Sequence, residues 1–101
     1  MSHHLFLIII CSFEHIELRL ASHPIPDQAS LDATEAIVTL LADVRPGDIV
    51  LSCFTGGSSS LFVAPAADIS LQDKAAVSDI LLTCGANITE INDVRKHLST
   101  V

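Results

Sequence analysis

The stretch Thr55-Gly56-Gly57-Ser58-Ser59-Ser60 has the residue types best suited to holding a ligand. Two adjacent glycines let the backbone turn tightly and approach a bound molecule closely. Backbone N–H groups and serine hydroxyls in such a turn can cradle a phosphate group, particularly where a helix begins at the serines. The alternative is a plain polar loop between two elements. The spacing matches neither GxGxxG nor GxxxxGK[ST], so the two common nucleotide fingerprints are absent.

A second cluster of functional side chains lies in residues 92–97. Arg95 and Lys96 can together hold a carboxylate or a phosphate, and His97 can exchange protons near neutral pH. The alternative is a solvated helix face, whose positive charges suit the carboxyl end of a helix.

Two further candidates flank a proline-rich turn, in the sequence His23-Pro24-Ile25-Pro26-Asp27. The prolines exclude regular structure here, since each fixes its own φ and biases the preceding residue toward extended backbone. His23 and Asp27 are both able to contact a substrate. The alternative for Asp27 is that its carboxylate caps the helix that follows.

The elements that must position these residues follow from hydrophobic periodicity. An unbroken apolar run at 5–10, an alternating segment at 14–20 and a short apolar run at 48–54 are typical of strands. Helices are predicted from Ser30 to Ala42, from Ser70 to Gly85 with a capping box to Asp73, and from Asn87 onward. Their predicted apolar faces are Leu31, Ile37, Val38 and Leu41; Val77, Ile80, Leu81 and Cys84; and Ile88, Ile91, Val94 and Leu98. The alternation of strands and helices predicts an α/β chain with a parallel sheet and covering helices.

Composition narrows the classes of function. The chain has 101 residues, of which 50% are hydrophobic and 17% charged, and its formal net charge is −7. Such a composition excludes disorder and argues against a nucleic-acid surface. The apolar run at 5–10 is too short to span a membrane. Cys11, Cys53 and Cys84 are far apart, so we expect buried free thiols, a cytoplasmic location and no protein-only metal site.

Several motifs resemble the class II glycerate 2-kinases, the MOFRL-associated family often labelled hydroxypyruvate reductase. His23-Pro24-Ile25-Pro26-Asp27-Gln28-Ala29-Ser30 is similar to its HPVPDEAS-type element, and Leu51 to Leu61 is similar to its LxxxSGGGSAL loop. Gly85 to Ser99 resembles its GA-I-EIN-VRKHLS element, and Ser70 to Lys74 fits its SL-DK pattern. The resemblance covers residues 14–101, interpreted as a partial glycerate kinase N-terminal domain, whereas residues 1–13 form an apolar start unlike the family.

The resemblance implies a partial Rossmann-like α/β/α sandwich with a mostly parallel sheet. It also implies transfer of the ATP γ-phosphoryl group to glycerate, with Mg²⁺. The implied nucleotide-binding residues are Thr55, Gly56, Gly57, Ser58, Ser59 and Ser60. The implied catalytic residues are Arg95, Lys96 and His97, and the implied substrate contacts are Asn92, His23 and Asp27.

The chain also departs from the family pattern. Thr55, Ser58 and Ser60 stand where the family has Ser, Gly and Ala, and a Cβ at Ser58 obstructs close approach if that position needs a positive φ. The family's Gly-Lys-Ala lysine, its Lys-Gly-Gly continuation and its MOFRL domain are absent, so we expect a fragment that is inactive alone. The alternative is a non-catalytic remnant that packs on a partner or self-associates through exposed apolar surface. An NAD(P)-linked reductase is disfavoured because no GxGxxG follows a predicted strand.

Overall fold

The computed structural model describes residues 15–101 of the chain. Within that range it contains α1 (Gln28–Ala42), α2 (Ser58–Leu61), α3 (Leu71–Thr83) and α4 (Ile88–His97). The chain divides into two compact units, the first ending at Phe62 and the second being Val63–Val101. No helix in the described range is long and apolar enough to cross a membrane.

The predicted α/β fold is wrong for the described residues, and with it the Rossmann-like sandwich and its parallel sheet. Residues 15–101 contain four helices and no β-strand, and their only β-type pairing is an isolated antiparallel bridge between Pro65 and Ser99. Residues 48–54 remain free of helix and pair with no strand among the residues that the structure describes. Because a strand requires a second segment to complete its hydrogen bonds, an apolar run alone does not make one. The strand predicted at 5–10 lies outside the described residues.

The first unit is organised by α1, whose start is fixed by a capping box. Asp27 accepts a hydrogen bond from the Ser30 N–H, and the Ser30 hydroxyl accepts one from the Asp27 N–H. The helix ends at Ala42, shortly before Pro46, which cannot continue it. It packs against the short α2.

The buried face of α1 is not the predicted one. Ser30 and Thr34 are its buried residues, whereas Ile37, Val38 and Leu41 are exposed. The Thr34 hydroxyl donates to the Ser30 carbonyl at 2.9 Å, so its burial leaves no donor unsatisfied.

The second unit is a pair of packed helices, α3 and α4. Each begins with a capping box, the predicted one of Ser70 with Asp73 in α3 and one of Asn87 with Glu90 in α4. Gly85 follows α3 with φ of 81°, the left-handed conformation expected of a residue just past a helix end.

The ends of the second unit run beside each other. The Ala66 N–H donates to the Leu98 carbonyl and the Thr100 N–H to the Ala64 carbonyl, each at 2.9 Å. The Ser99 hydroxyl also donates to Ala64, at 3.1 Å. These bonds tie the segment before α3 to the segment after α4.

The described residues bury little apolar surface. Val63 and Ile91 are their only buried hydrophobic side chains, whereas Ile49 and Leu51 are 94% and 86% exposed. The expectation of exposed apolar surface is therefore confirmed. The expectation of buried thiols is wrong for Cys53 and Cys84, which are free and exposed; Cys11 lies outside the described residues.

Candidate functional site

The glycine-serine stretch forms a tight turn that leads into α2. Gly57 is the residue before the helix and has φ of 86°, a conformation that side-chain-bearing residues rarely adopt. The Ser58 N–H donates to the Thr55 carbonyl at 3.3 Å, which closes the turn. Ser60 is buried, and its hydroxyl donates to the Gly57 carbonyl at 3.0 Å. The positive φ falls on Gly57 and not on Ser58, so the Cβ of Ser58 imposes no backbone strain there.

His23 packs against this turn at Gly57. A Cβ added to Gly57 would lie 2.6 Å from His23 Nε2 and 2.9 Å from His23 Cδ2. Distances this short are steric clashes, so only glycine fits beneath the imidazole. The structure thus brings together two stretches that sequence reasoning treated separately. It also places an imidazole nitrogen beside the turn that was predicted to hold phosphate groups.

The Asp27 carboxylate forms a hydrogen bond with Ser22, the residue that precedes His23. Its Oδ2 accepts a hydrogen bond from the Ser22 hydroxyl at 2.8 Å, and its Oδ1 accepts one from the Ser30 N–H at 3.0 Å. These hydrogen bonds, that from Ser22 first, keep the pKa of the Asp27 carboxyl below its usual value. The capping role foreseen for Asp27 is therefore observed, and it fixes both the start of α1 and the turn that carries His23.

Charged residues of α4 are arranged around Asp93. Lys96 Nζ donates to Asp93 Oδ1 at 2.7 Å, and both side chains are largely exposed. The hydrogen bond and the positive charge of Lys96 lower the pKa of the Asp93 carboxyl. His97 Nδ1 lies 2.6 Å from the Asp93 carbonyl, which can only accept, so Nδ1 carries the proton. In the neutral ring Nε2 is then the basic nitrogen.

The remaining α4 candidates differ in exposure. Asn92 is exposed, whereas Arg95 is half-buried on the side of the helix that carries the buried Ile91 one turn earlier. Sequence reasoning placed all of these residues on one functional segment without separating their faces.

Lys74 lies in the stretch that fits the SL-DK pattern, but no site role was predicted for it. It is the buried residue of α3, only 5% exposed. Burial, and secondarily the charge of Arg95, lowers the pKa of its ammonium. Its position three residues before Val77 and seven before Leu81 puts it on their helix face. That spacing was the feature of the sequence that could have predicted the burial of Lys74.

The residues of the turn suit phosphate groups better than a metal ion. Thr55, Ser58 and Ser59 supply hydroxyls, and no atom lies within 4 Å of the Cβ position at Gly56. The turn contains no carboxylate. Mg²⁺ prefers carboxylate oxygens, and the nearby Asp27 carboxylate is already used in capping. Within residues 15–101 no group of three or more His, Cys, Asp or Glu side chains lies close enough to hold a metal.

The family model described as "Domain of unknown function (DUF4147)" matches residues 3–101. The chain belongs to this family. Among relatives of this DUF4147 chain, the "Putative hydroxypyruvate reductase" of Agrobacterium vitis is 46% identical, over 85% of the chain and 20% of the relative. The "Glycerate 2-kinase" of Pyrococcus horikoshii is 43% identical, over 87% of the chain and 20% of the relative.

A solved structure agrees with the DUF4147 chain in fold as well as in sequence. The crystal structure of glycerate kinase from Thermotoga maritima matches with a TM-score of 0.84 at 38% identity, covering 90% of the chain and 22% of the kinase. The resemblance to glycerate 2-kinases is therefore confirmed. The DUF4147 chain spans about one fifth of the length of these relatives.

Proposed function

We propose that this chain contributes nucleotide-phosphate and substrate contacts to a glycerate 2-kinase, and that it does not turn over glycerate alone. In this reaction the 2-hydroxyl oxygen of glycerate bonds to the γ-phosphorus of ATP, the bond from that phosphorus to the β,γ-bridging oxygen breaks, and the hydroxyl proton is released. Such a transfer depends on positioning and on neutralising charge more than on covalent chemistry. Its relatives carrying the kinase name support the reaction class.

The observation that carries the proposal is the turn at Gly57 beneath His23. The turn exposes Gly56 with nothing within 4 Å of where its Cβ would be, so a phosphate oxygen has space to approach the backbone. Hydroxyls of Thr55, Ser58 and Ser59 would add donors, while Ser60 holds the turn from inside. His23 Nε2 would contribute a donor when protonated.

The second unit would contribute the substrate-contacting residues. Arg95 and Lys96 would neutralise charge on a carboxylate or on the transferred phosphoryl group, and Asn92 would orient a hydroxyl. His97 Nε2 would accept the hydroxyl proton, since its Nδ1 proton is already donated to Asp93. Mg²⁺ would arrive with ATP, and none of these roles depends on it.

Substitution of Gly56 separates ligand binding from folding. We expect Gly56→Ala to keep the thermal stability of the chain, because the added Cβ meets no atom within 4 Å and the φ of Gly56 is not positive. The same Cβ would stand where the phosphate approaches, so the affinity for ATP·Mg²⁺ should fall at least about tenfold. Isothermal titration calorimetry measures the affinity, and thermal denaturation checks the fold.

The matched control is Gly47→Ala, in the first unit but outside the turn. Gly47 also has open space around its Cβ position, although its φ of 97° makes some loss of stability expected. Its ATP affinity should equal that of the unsubstituted chain. Equal affinity for ATP in Gly56→Ala, or no heat of binding with the unsubstituted chain at millimolar ATP, would contradict the proposal.

A second candidate function, self-association, is favoured by the exposed apolar residues before the turn. Ile49 and Leu51 are almost fully exposed, and Phe54 is 65% exposed. Contiguous apolar surface of this kind marks contact sites between proteins. The chain would then act as a packing module between copies of itself. Cys53 and Cys84 are free thiols, which suits the cytoplasmic location we propose for either function.

A further inference from the structure

Ser22 links the segment that carries His23 to the start of α1. Its hydroxyl donates to Asp27 Oδ2 at 2.8 Å. The backbone N–H of Ser22 lies 3.4 Å from Asp27 Oδ1, which is long for a hydrogen bond, so the hydroxyl makes the shorter link. Both residues are half-buried, and a hydrogen bond to an ionised carboxylate is stronger than one between neutral groups.

The two oxygens of the Asp27 carboxylate have different partners. Oδ1 accepts from the Ser30 N–H at 3.0 Å and from the Ser30 hydroxyl at 3.1 Å, and these contacts belong to the capping box of α1. Oδ2 accepts from the Ser22 hydroxyl. The cap of α1 is therefore formed without Ser22. What the Ser22 hydroxyl adds is a fixed position for the residue that directly precedes His23.

The position of His23 decides whether its ring reaches a ligand of the turn. Nε2 and Cδ2 of the ring lie 2.6 Å and 2.9 Å from the point that a Cβ of Gly57 would occupy. The ring therefore packs against the turn to which the proposed function assigns phosphate groups. Because a hydrogen-bond donor must lie within about 3.2 Å of its acceptor, a displacement of about 1 Å would remove Nε2 as a phosphate donor.

We propose that Ser22 is a positioning residue for phosphate binding, and that its hydrogen bond to Asp27 holds the His23 ring against Gly57. Ser22 contacts no ligand itself and acts through His23. This inference rests on the proposed function, since it requires a phosphate group at the turn. It deepens that function by giving a role to a residue that precedes the proline-rich turn and had none.

Calorimetric titration of Ser22→Ala with ATP·Mg²⁺ tests this role. We expect the affinity for ATP to be about fivefold weaker, as when one hydrogen bond that positions a donor is lost. Ser22→Thr keeps the hydroxyl and should restore the affinity of the unsubstituted chain. The matched control is Ser52→Ala, which removes the hydroxyl of an exposed serine in the first unit and should leave the affinity unchanged.

A double-mutant cycle with His23→Ala separates positioning from a general effect on the fold. A serine that acts through the His23 ring has nothing to position once that ring is removed. We therefore expect the variant with both Ser22→Ala and His23→Ala to bind ATP as His23→Ala alone does. An equal loss of affinity on Ser22→Ala in both backgrounds overturns the proposal. Failure of Ser22→Ala to fold also overturns it, because Ser22 would then serve the fold itself.

The position of the ring can be measured without ATP. In isotope-labelled chain, nuclear Overhauser contacts should join the His23 ring protons to the Gly57 Hα protons, weaken in Ser22→Ala and persist in Ser22→Thr. Unchanged contacts in Ser22→Ala overturn the role of Ser22 whatever the affinity for ATP. Absence of ATP binding by the unsubstituted chain overturns the proposed function and, with it, the phosphate role of Ser22. The two failures are thereby distinguished.

Discussion

At the scale of single residues, Gly57 meets two requirements that no other amino acid meets together. Its φ of 86° lies in the left-handed region, and its missing side chain leaves room for the His23 ring. Asn tolerates the first condition but not the second, since any Cβ would meet the imidazole. The position of His23 beside the turn therefore depends on this glycine.

We expect Gly57→Ala to destabilise the chain by about 2–4 kcal/mol, from backbone strain together with the displacement of His23. Chemical denaturation followed by circular dichroism gives the free energy of unfolding. The double variant Gly57→Ala with His23→Ala should recover part of the loss, because the clash is removed and only the strain remains. If the double variant recovers nothing, the contact between the two residues does not matter to stability.

Lys74 shows why some residue roles are hard to read from sequence. A single lysine in a helix is ordinarily solvated, and only its register with Val77 and Leu81 places it on the inward face. His23 and Gly57 are separated by more than thirty positions, so no local pattern connects them. Contacts of this kind depend on the path of the whole chain.

At the scale of elements, helix starts are the best-predicted features of the fold. Asp27, Ser70 and Asn87 were each expected at a helix start. Each caps its helix by accepting from the N–H three positions later and donating its own N–H to that residue's side chain. Capping depends on four consecutive residues, which is why sequence reasoning reaches it. Strands and buried helix faces depend on segments that are distant in sequence. For this reason the strand predicted over 48–54 and the buried face predicted for α1 were both wrong.

The cap at Asp27 gives a prediction at this scale. Asp27→Ala should lower the free energy of unfolding at pH 7 by about 1–2 kcal/mol, because the first-turn donors of α1 and the Ser22 hydroxyl lose their acceptor. The hydrogen bond from Ser22 holds the folded-state pKa of Asp27 below its usual value, so the ionised carboxylate stabilises the fold at pH values above that usual pKa. The difference from the unsubstituted chain should shrink as the pH falls through the folded-state pKa.

Denaturant titrations at pH 7 and at successively lower pH values measure this difference. Asp32→Ala is the matched control, since Asp32 lies on the same helix and accepts only from the exposed Gln28 side chain, at 2.9 Å. It should change stability far less. A loss for Asp27→Ala that does not diminish on acidification would show that the cap does not act through its charge.

At the scale of the whole molecule, the described residues leave many more large apolar side chains exposed than buried. Besides Val63 and Ile91, the large hydrophobic side chains are exposed or half-buried. The hydrophobic composition predicted this excess, but it could not predict which residues carry it. Residues 48–54 were expected in a core and are instead the most exposed apolar stretch.

Exposure on this scale predicts self-association of the isolated chain. Sedimentation equilibrium at micromolar to millimolar concentration should show dimers or larger species, because burying apolar surface between copies is favourable. The double variant Ile49→Ser with Leu51→Ser should shift the equilibrium toward monomer by at least about tenfold. Thr39→Ser with Thr89→Ser, two exposed helix positions, serves as the control. A chain that stays monomeric throughout the range excludes the packing-module function.

The antiparallel bridge between Pro65 and Ser99 has a consequence for how the second unit can be handled. Hydrogen bonds around this bridge join the segment that precedes α3 to the segment that follows α4. The two helices and their connection therefore form a loop whose ends lie side by side. Bringing the two ends of a loop together costs conformational entropy. In this unit, the hydrogen bonds that join Ala64 and Ala66 to Leu98 and Thr100 offset that cost. Because the two ends of the helix pair already lie side by side, we expect the pair to be transferable as one unit between two adjacent backbone points of another scaffold.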